Sequence, residues 1–336
     1  MKTEYIKRLI DHPAVRSVAS KVLDGHRLTL DEGVFLMKKA ETSILGLLAR
    51  ERAQQQNIAF ANRKIYHIAL FNSCLFHCSG CKYSQPVGQK LKLSVDLLSD
   101  KLAGATETDE IVLSSGIHPQ LSLDYLVRII QTVRTVLPDH KIKALRAIHL
   151  VEMARKENSS MALVLETLKN AGLNAFLGGD ALIFRKEMRS KLQDYSLSAD
   201  EWIAIHKQMH QSGFTSEATM MYGHFESVED RLKQMNEIRE LQDETLGFDA
   251  FIPVKFQAET GLSNRLMQTS SLEDVRVFAV ARIFLDNVRH VDALSIIGGE
   301  GWEEAFKFGV NRITTAHPDS DTYLPQYGEL AIGSYK

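Results

Sequence analysis

The chain contains three cysteines, and all fall within Cys74-Leu75-Phe76-His77-Cys78-Ser79-Gly80-Cys81. An odd number set so closely is a poor disulfide framework. In a reducing compartment, clustered thiols bind metal or carry redox chemistry. Soft sulfur ligands select iron–sulfur clusters or zinc over hard cations. Three thiolates can hold three irons of a [4Fe–4S] cube and leave the fourth iron open to an outside ligand. Two plainer readings compete. A structural zinc site wants four protein ligands. His77 is the nearby addition, but its adjacency to Cys78 makes shared tetrahedral ligation awkward. A cysteine cluster without metal is the other. The open cluster is the expectation.

Such a site needs a scaffold to hold it. Residues 1–58 read as a helical extension. Asp11-His12-Pro13 puts proline at a first helical position. Thr29-Leu30-Asp31-Glu32 has the spacing of a capping box. Beyond Arg63 the pattern changes. Short β-rich runs at 65–70, 110–114, 141–145, 174–177, 216–221, 249–254 and 291–296 alternate with amphipathic runs. The helical runs are 123–137, 161–171, 201–212, 229–241 and 272–286, two of them opened by Ser198 and Ser227 with acidic residues following. Regular alternation predicts a parallel sheet of α/β class, closed into a full or partial (β/α) TIM-type barrel over 59–300. Residues 301–336 form a carboxyl-terminal segment. Reactive groups should gather at the carboxyl ends of the strands. The cysteines follow the first of these directly.

Composition excludes several classes. The chain has 336 residues, 44% hydrophobic and 24% charged, with a net charge of -2. No basic stripe supports nucleic-acid binding. Met1 to Ile10 carries charges throughout and lacks a signal-peptide core. No apolar run is long enough to span a membrane. The expectation is a cytoplasmic protein with a small-molecule substrate.

The C-x3-C-x2-C spacing after a first barrel strand resembles that of the radical SAM superfamily. The second half narrows the likeness. Ala218-Thr219-Met220-Met221-Tyr222-Gly223-His224, Met235-Asn236, Arg239-Glu240-Leu241-Gln242-Asp243-Glu244-Thr245, Gly247-Phe248-Asp249-Ala250-Phe251-Ile252-Pro253-Val254-Lys255-Phe256 and Ala279-Val280-Ala281-Arg282-Ile283-Phe284-Leu285-Asp286-Asn287 are similar to the futalosine-pathway enzymes of menaquinone biosynthesis. Aminodeoxyfutalosine synthases and dehypoxanthine futalosine cyclases share most of this series, with kin that make the deazaflavin cofactor. Trp202, Ile205-His206, His210, the tyrosine of Met221-Tyr222-Gly223-His224, and Lys255-Phe256 resemble the synthase family more closely.

The resemblance implies a [4Fe–4S] cluster on Cys74, Cys78 and Cys81, with S-adenosyl-L-methionine (SAM) as co-substrate. It implies a reducing electron donor such as flavodoxin or ferredoxin. The reaction implied is radical adenosylation of 3-[(1-carboxyvinyl)oxy]benzoate to give aminodeoxyfutalosine. The cyclase reaction, or a paralogue with another substrate, is the alternative. A zinc-binding or inactive scaffold belongs to a different class.

Site candidates follow from strand-end position and from the family pattern. Tyr83 is expected to fill the adenine side, because Gly80 stands where the superfamily usually has an aromatic. Glu110, Ser115, Gly116 and Asp180 are candidates for holding SAM, although Glu110 could equally cap a strand end. His118, Arg146 and His149 are candidates for substrate, with Arg146 offering its planar fork to a carboxylate. His-Pro also shapes loops. Tyr222 and His224 are expected to share one strand face and to hold a carboxylate or act as acid and base. His67 is either a polar group beside the cluster or a hydrogen-bonded core histidine. The family pattern departs at Ser115, Arg146, His149, Asp180 and Leu182. Arg239, Gln242, Asp243 and Glu244 read as a solvated face. Arg282 and Asp286, four apart on a helix, read as an ion pair.

Overall fold

The computed structural model describes residues 2–78, 81, 83, 93–195, 197–256, 269–294 and 302–321. Four helices come first: α1 (Lys2–Arg8), α2 (Pro13–Leu23), α3 (Leu30–Lys39) and α4 (Thr42–Gln55). Pro13 sits in the first turn of α2, and the His12 side chain accepts from Val15 N. At α3 both halves of the Thr29–Glu32 capping box form. The apolar faces of these helices bury Val22, Leu36, Leu45 and Leu48 in the main core.

The rest is a barrel. Its elements are β1 (Ala61–Phe71), α5 (Val95–Leu102), β2 (Glu110–Ser115), α6 (Leu123–Val136), β3 (Lys141–Ala144), α7 (Ala147–Lys156), α8 (Met161–Ala171), β4 (Ala175–Phe176), α9 (Lys186–Leu192), α10 (Ala199–Gln211), β5 (Thr215–Tyr222), α11 (Val228–Thr245), β6 (Phe248–Lys255), α12 (Ser271–Phe284), β7 (His290–Leu294), α13 (Trp302–Lys307) and β8 (Arg312–Ala316). The strands close in order from β1 to β8, and every neighbouring pair is parallel. Capping boxes at Ser198 and Ser227 open α10 and α11 as their sequences predict. The amino-terminal helices lie on the outside of this barrel, α4 against α12 and α3 against α11.

Three expectations need correction. The barrel, expected over 59–300, runs past residue 300, because its last strand is Arg312–Ala316. That strand reads Arg-Ile-Thr-Thr-Ala, because Arg312 and Thr314 face a charged lumen and give no apolar alternation. Residues 295–296 of the seventh expected strand lie outside the described residues. Arg282 and Asp286 do not pair with each other. Arg282 donates to the carbonyls of Gly309 and Val288, and Asp286 pairs with Arg27. Arg239 and Gln242 are buried rather than solvated; Arg239 donates to Leu28 O and Gln242 exchanges hydrogen bonds with Phe248. Asp243 and Glu244 are exposed.

The lumen is layered. Near the amino ends of the strands, Arg63 meets Glu110 at 3.3 Å, Glu217 at 2.9 Å and Asp292 at 2.9 Å. Lys143 adds Glu217 at 2.6 Å and Glu110 at 3.0 Å. Arg312 closes the set through Asp292 and Asp249. Above it lie Ile65, Val112 and Leu177. This apolar layer separates the ionic floor from the carboxyl-end rim.

Candidate functional site at the carboxyl end of the barrel

The cysteine loop leaves β1 and is pinned from two sides. Ile117 N donates to Cys74 Sγ at 3.3 Å, and Leu75 N donates to Ile117 O at 2.8 Å. Both contacts come from the loop after β2. Gly116 makes that approach feasible: a Cβ there would lie 2.1 Å from Ser73 O. From the other side, Asp194 N donates to Cys78 Sγ at 3.3 Å, while the Asp194 carboxylate accepts from His77 N at 3.0 Å. All three cysteines are buried, and none is in a disulfide.

These features fit a sulfur-bound cluster. Backbone N–H groups aimed at sulfur are the contacts that stabilise cluster thiolates. Without an ion, burial pushes the Cys78 thiol up to about 12, and neighbouring Cys81 and Cys74 add to the rise. Such thiols need a cation to ionise. Among the described residues, no three His, Cys, Asp or Glu side chains already close around one ion. A cube engages its cysteines through separate irons, so its thiolates need not converge on one point.

His67 is wholly buried in the lumen, and both ring nitrogens are engaged. Nδ1 lies 3.0 Å from Asp321 O, and Nε2 lies 2.5 Å from Ser114 Oγ. Burial lowers its pKa to about 4. Tyr83 reaches the same Ser114 hydroxyl, and burial pushes its phenol up to about 12. Arg146 stands within electrostatic reach of both Tyr83 and Cys78. The cysteine loop, β2 and the loop after β3 thus meet at one place.

His149 is also buried. Its Nδ1 accepts from Arg146 N at 3.3 Å, so its Nε2 carries the proton and donates to Ser115 O at 3.1 Å. Burial and the Arg146 charge hold its pKa well below the usual histidine value. His118 stacks on Phe71 with ring centroids 4.2 Å apart. His118 and His149 line a cavity of about 260 Å³ together with Leu75 of the cysteine loop, Ile117 and Met153.

Several expected roles are displaced. Glu110 opens β2 at its amino end, roughly 16 Å along the strand from Ser115, and belongs to the ionic floor. It cannot reach a ligand at the rim. The Ser115 hydroxyl donates to Gly116 O at 2.6 Å and is spent within its own turn. Asp180 receives Arg146 Nη1 at 2.8 Å, the Tyr195 hydroxyl at 2.8 Å and Ile148 N at 3.1 Å, which occupies both oxygens. Arg146 therefore serves Asp180, and its fork is not presented whole to a ligand. Tyr222 and His224 do not share a face. Glu217 faces the lumen, so alternation sends Tyr222 outward, beneath Arg231 of α11. Burial and nearby Asp274 raise its phenol well above the usual value.

His224 is different. Gly223 takes φ 85° and turns the chain just past β5. His224 Nδ1 lies 2.7 Å from Phe225 N and 3.2 Å from the Glu226 carboxylate. The ring is buried, with the Glu226 carboxylate and the Met221 backbone beside it. Burial lowers the ring's pKa. Glu226 locks the turn by accepting from Gly223 N at 2.7 Å, His224 N at 2.9 Å and Arg231 Nε at 2.8 Å. Sequence reasoning missed Glu226, Ser114, Asp194 and Asp321. The His-x-Glu spacing after β5 is the one available signal among them.

A closed parallel barrel with a three-cysteine loop leaving its first strand defines a radical SAM enzyme. Solved structures agree on the fold: methylornithine synthase (PylB), with TM-score 0.73, 18% identity and coverage of 94% of this chain and 91% of that one, and the [FeFe]-hydrogenase maturase HydG, with TM-score 0.75, 14% identity and coverage of 97% and 73%. No family profile matches the chain. It is 33% identical over 296 residues to the aminodeoxyfutalosine synthase of Thermus thermophilus, covering 84% of this chain and 79% of that protein. The corresponding enzyme of Streptomyces coelicolor is 30% identical, with 84% and 77% covered. A 5-amino-6-(D-ribitylamino)uracil--L-tyrosine 4-hydroxyphenyl transferase of Methanospirillum hungatei is 32% identical, with 84% and 80% covered. The chain belongs to the radical SAM family that contains the aminodeoxyfutalosine synthases. Enzymes of this family use a [4Fe–4S] cluster and SAM. No helix among the described residues is long and apolar enough to cross a membrane.

Proposed function

We propose that the protein is an aminodeoxyfutalosine synthase, which adds the adenosyl part of SAM to 3-[(1-carboxyvinyl)oxy]benzoate in menaquinone biosynthesis. The observation that carries this is the 33% identity to the synthase over most of both chains. Cys74, Cys78 and Cys81 would hold the cluster. Once bound, it would supply one-electron reduction for the cleavage of SAM. Gly116, Ile117 and Asp194 fix the cysteine loop in place. Tyr83 walls the site between Cys81 and the barrel. His224, held just past β5 at the carboxyl end of the barrel, would offer its imidazole to a substrate carboxylate. His118 lines the cavity beside the cysteine loop and serves as a second contact for substrate. The electron comes from a reducing donor such as a flavodoxin or ferredoxin, and the reaction takes place in the cytoplasm.

A second reading keeps the chemistry and changes the substrate. The saturated Arg146–Asp180–Tyr195 set favours it, because these strand-end groups bind one another rather than a ligand. Product analysis separates the two. Reduced, cluster-loaded protein with SAM and the carboxyvinyloxybenzoate is expected to give a product containing adenine. Cleavage of SAM to free 5′-deoxyadenosine, with no adduct, would reject the synthase assignment.

A further inference from the structure

Four groups from separate parts of the chain line up above the apolar layer of the barrel. The Asp321 carbonyl can only accept, so His67 Nδ1 carries a proton and donates to it at 3.0 Å. The buried ring is neutral, so Nε2 is an acceptor. Ser114 therefore donates its hydroxyl proton to Nε2 at 2.5 Å. With that proton committed, Ser114 Oγ accepts from the Tyr83 hydroxyl. Direction is thus fixed throughout, from Tyr83 to Ser114 to His67 to Asp321.

The far end of the chain is anchored independently. After β8 the chain runs along β1: His317 N donates to Ile65 O at 2.8 Å and Asp321 N to His67 O at 2.9 Å. His67 N donates to Ser320 Oγ at 3.0 Å, and Ala69 N to the Asp321 carboxylate at 3.0 Å. The near end is Tyr83, two residues beyond the third cysteine and 3% exposed. Cys81 and Arg146 both lie within electrostatic reach of its phenol. Ser114 itself is buried on β2 and opposite Ala69 of β1.

We propose that Ser114 is a positioning residue, which fixes Tyr83 against the cysteine loop through a one-way hydrogen-bond chain ending on the Asp321 carbonyl, and so shapes the SAM-binding wall. The inference rests on the radical SAM reading above. Removing the Ser114 hydroxyl unties Tyr83 while leaving every thiol in place. The loss should fall on SAM affinity and not on cluster retention.

The test compares Ser114→Ala, Tyr83→Phe and the double variant in cluster-loaded protein. Each single change is expected to weaken SAM binding about five- to tenfold, the size of one lost hydrogen bond. The double variant should be no weaker than either, because both break the same link. Iron and sulfide content should stay at the parent level. The change that SAM causes in the EPR spectrum of the reduced cluster should shrink, and Ser114→Thr should restore it. In the protein without cluster, ¹⁵N-histidine NMR should find His67 neutral and protonated at Nδ1. Unchanged SAM affinity in Ser114→Ala and Tyr83→Phe, additive losses in the double variant, or an Nε2–H tautomer would overturn the proposal. A parent protein that binds neither iron nor SAM would instead overturn the family reading, and the NMR result would still judge the chain of hydrogen bonds. Should Ser114→Ala fail to fold, Tyr83→Phe, on the loop, carries the comparison alone.

Discussion

His224 is held just past β5, its buried ring beside the Glu226 carboxylate at the carboxyl end of the barrel. A substrate carboxylate placed there would hydrogen-bond with the ring. His224→Phe is expected to raise KM for the carboxylate substrate by about ten- to a hundredfold, the range of one hydrogen bond to a charged group. His224→Gln, which keeps an N–H donor, should recover much of this. Equal KM values for parent and His224→Phe in steady-state kinetics would remove His224 from the substrate site. The cysteines give a sharper contrast. Cys74→Ala, Cys78→Ala or Cys81→Ala should each abolish the brown colour and most of the bound iron after anaerobic reconstitution. Iron at the parent level in any of them would mean that the residue is not a ligand. The cysteines were legible because they lie close together in sequence and their type has few uses. Ser114, Glu226 and Asp321 were not, because their partners arrive from other elements. Tyr222 was misread because alternation was counted without knowing that Glu217 faces inward.

At the scale of elements, strand–helix alternation carried most of the fold. Met161–Ala171 was read to the residue, since Ser160 caps it and Gly172 ends it with φ 103°. The fourth strand was read at 174–177 and is shorter, Ala175–Phe176; what stayed hidden was β8, whose lumen face is polar. The loop after β2 is the element on which the cysteine loop depends. Gly116 permits an approach in which a Cβ would stand 2.1 Å from Ser73 O and 3.0 Å from Cys74 Cβ. Gly116→Ala must push backbone aside. It is expected to destabilise the protein by about 1–3 kcal/mol, the usual range for overpacking, and to lower iron retention. Thermal unfolding and iron analysis check both. A normal Tm with full iron would show that the two loops can separate without consequence.

Across the whole molecule, charge buried in the barrel sets the acid limit. Lys143 and Arg63 oppose the burial that would raise the Glu217 carboxyl and hold it down at about 2. A depressed carboxylate contributes stability above its unfolded value of 4.5, and that contribution is lost as pH falls through the folded value. Glu217→Gln leaves Lys143 and Arg63 short of a partner and should cost about 3–5 kcal/mol. A second group acts at higher pH. Burial lowers His67, His210 and His290 to about 4, and holds His149 and His206 well below 6.5. Neutral histidines contribute fully above the unfolded value of 6.5 and lose that contribution as pH falls toward 4. Stability should therefore drop between pH 7.5 and 5, before Glu217 begins to titrate. Urea midpoints at several pH values measure this directly, and a midpoint that stays flat over that range would contradict the burial of these rings.

The most direct measurement is EPR spectroscopy of the anaerobically reconstituted, reduced protein with and without SAM, read beside its iron, sulfide and zinc content. Three thiols on one short loop should yield about four irons and four sulfides per chain, with a spectrum that changes when SAM occupies the iron lacking a cysteine. Zinc in place of iron, or a cluster whose spectrum ignores SAM, would contradict the role assigned to Cys74, Cys78 and Cys81.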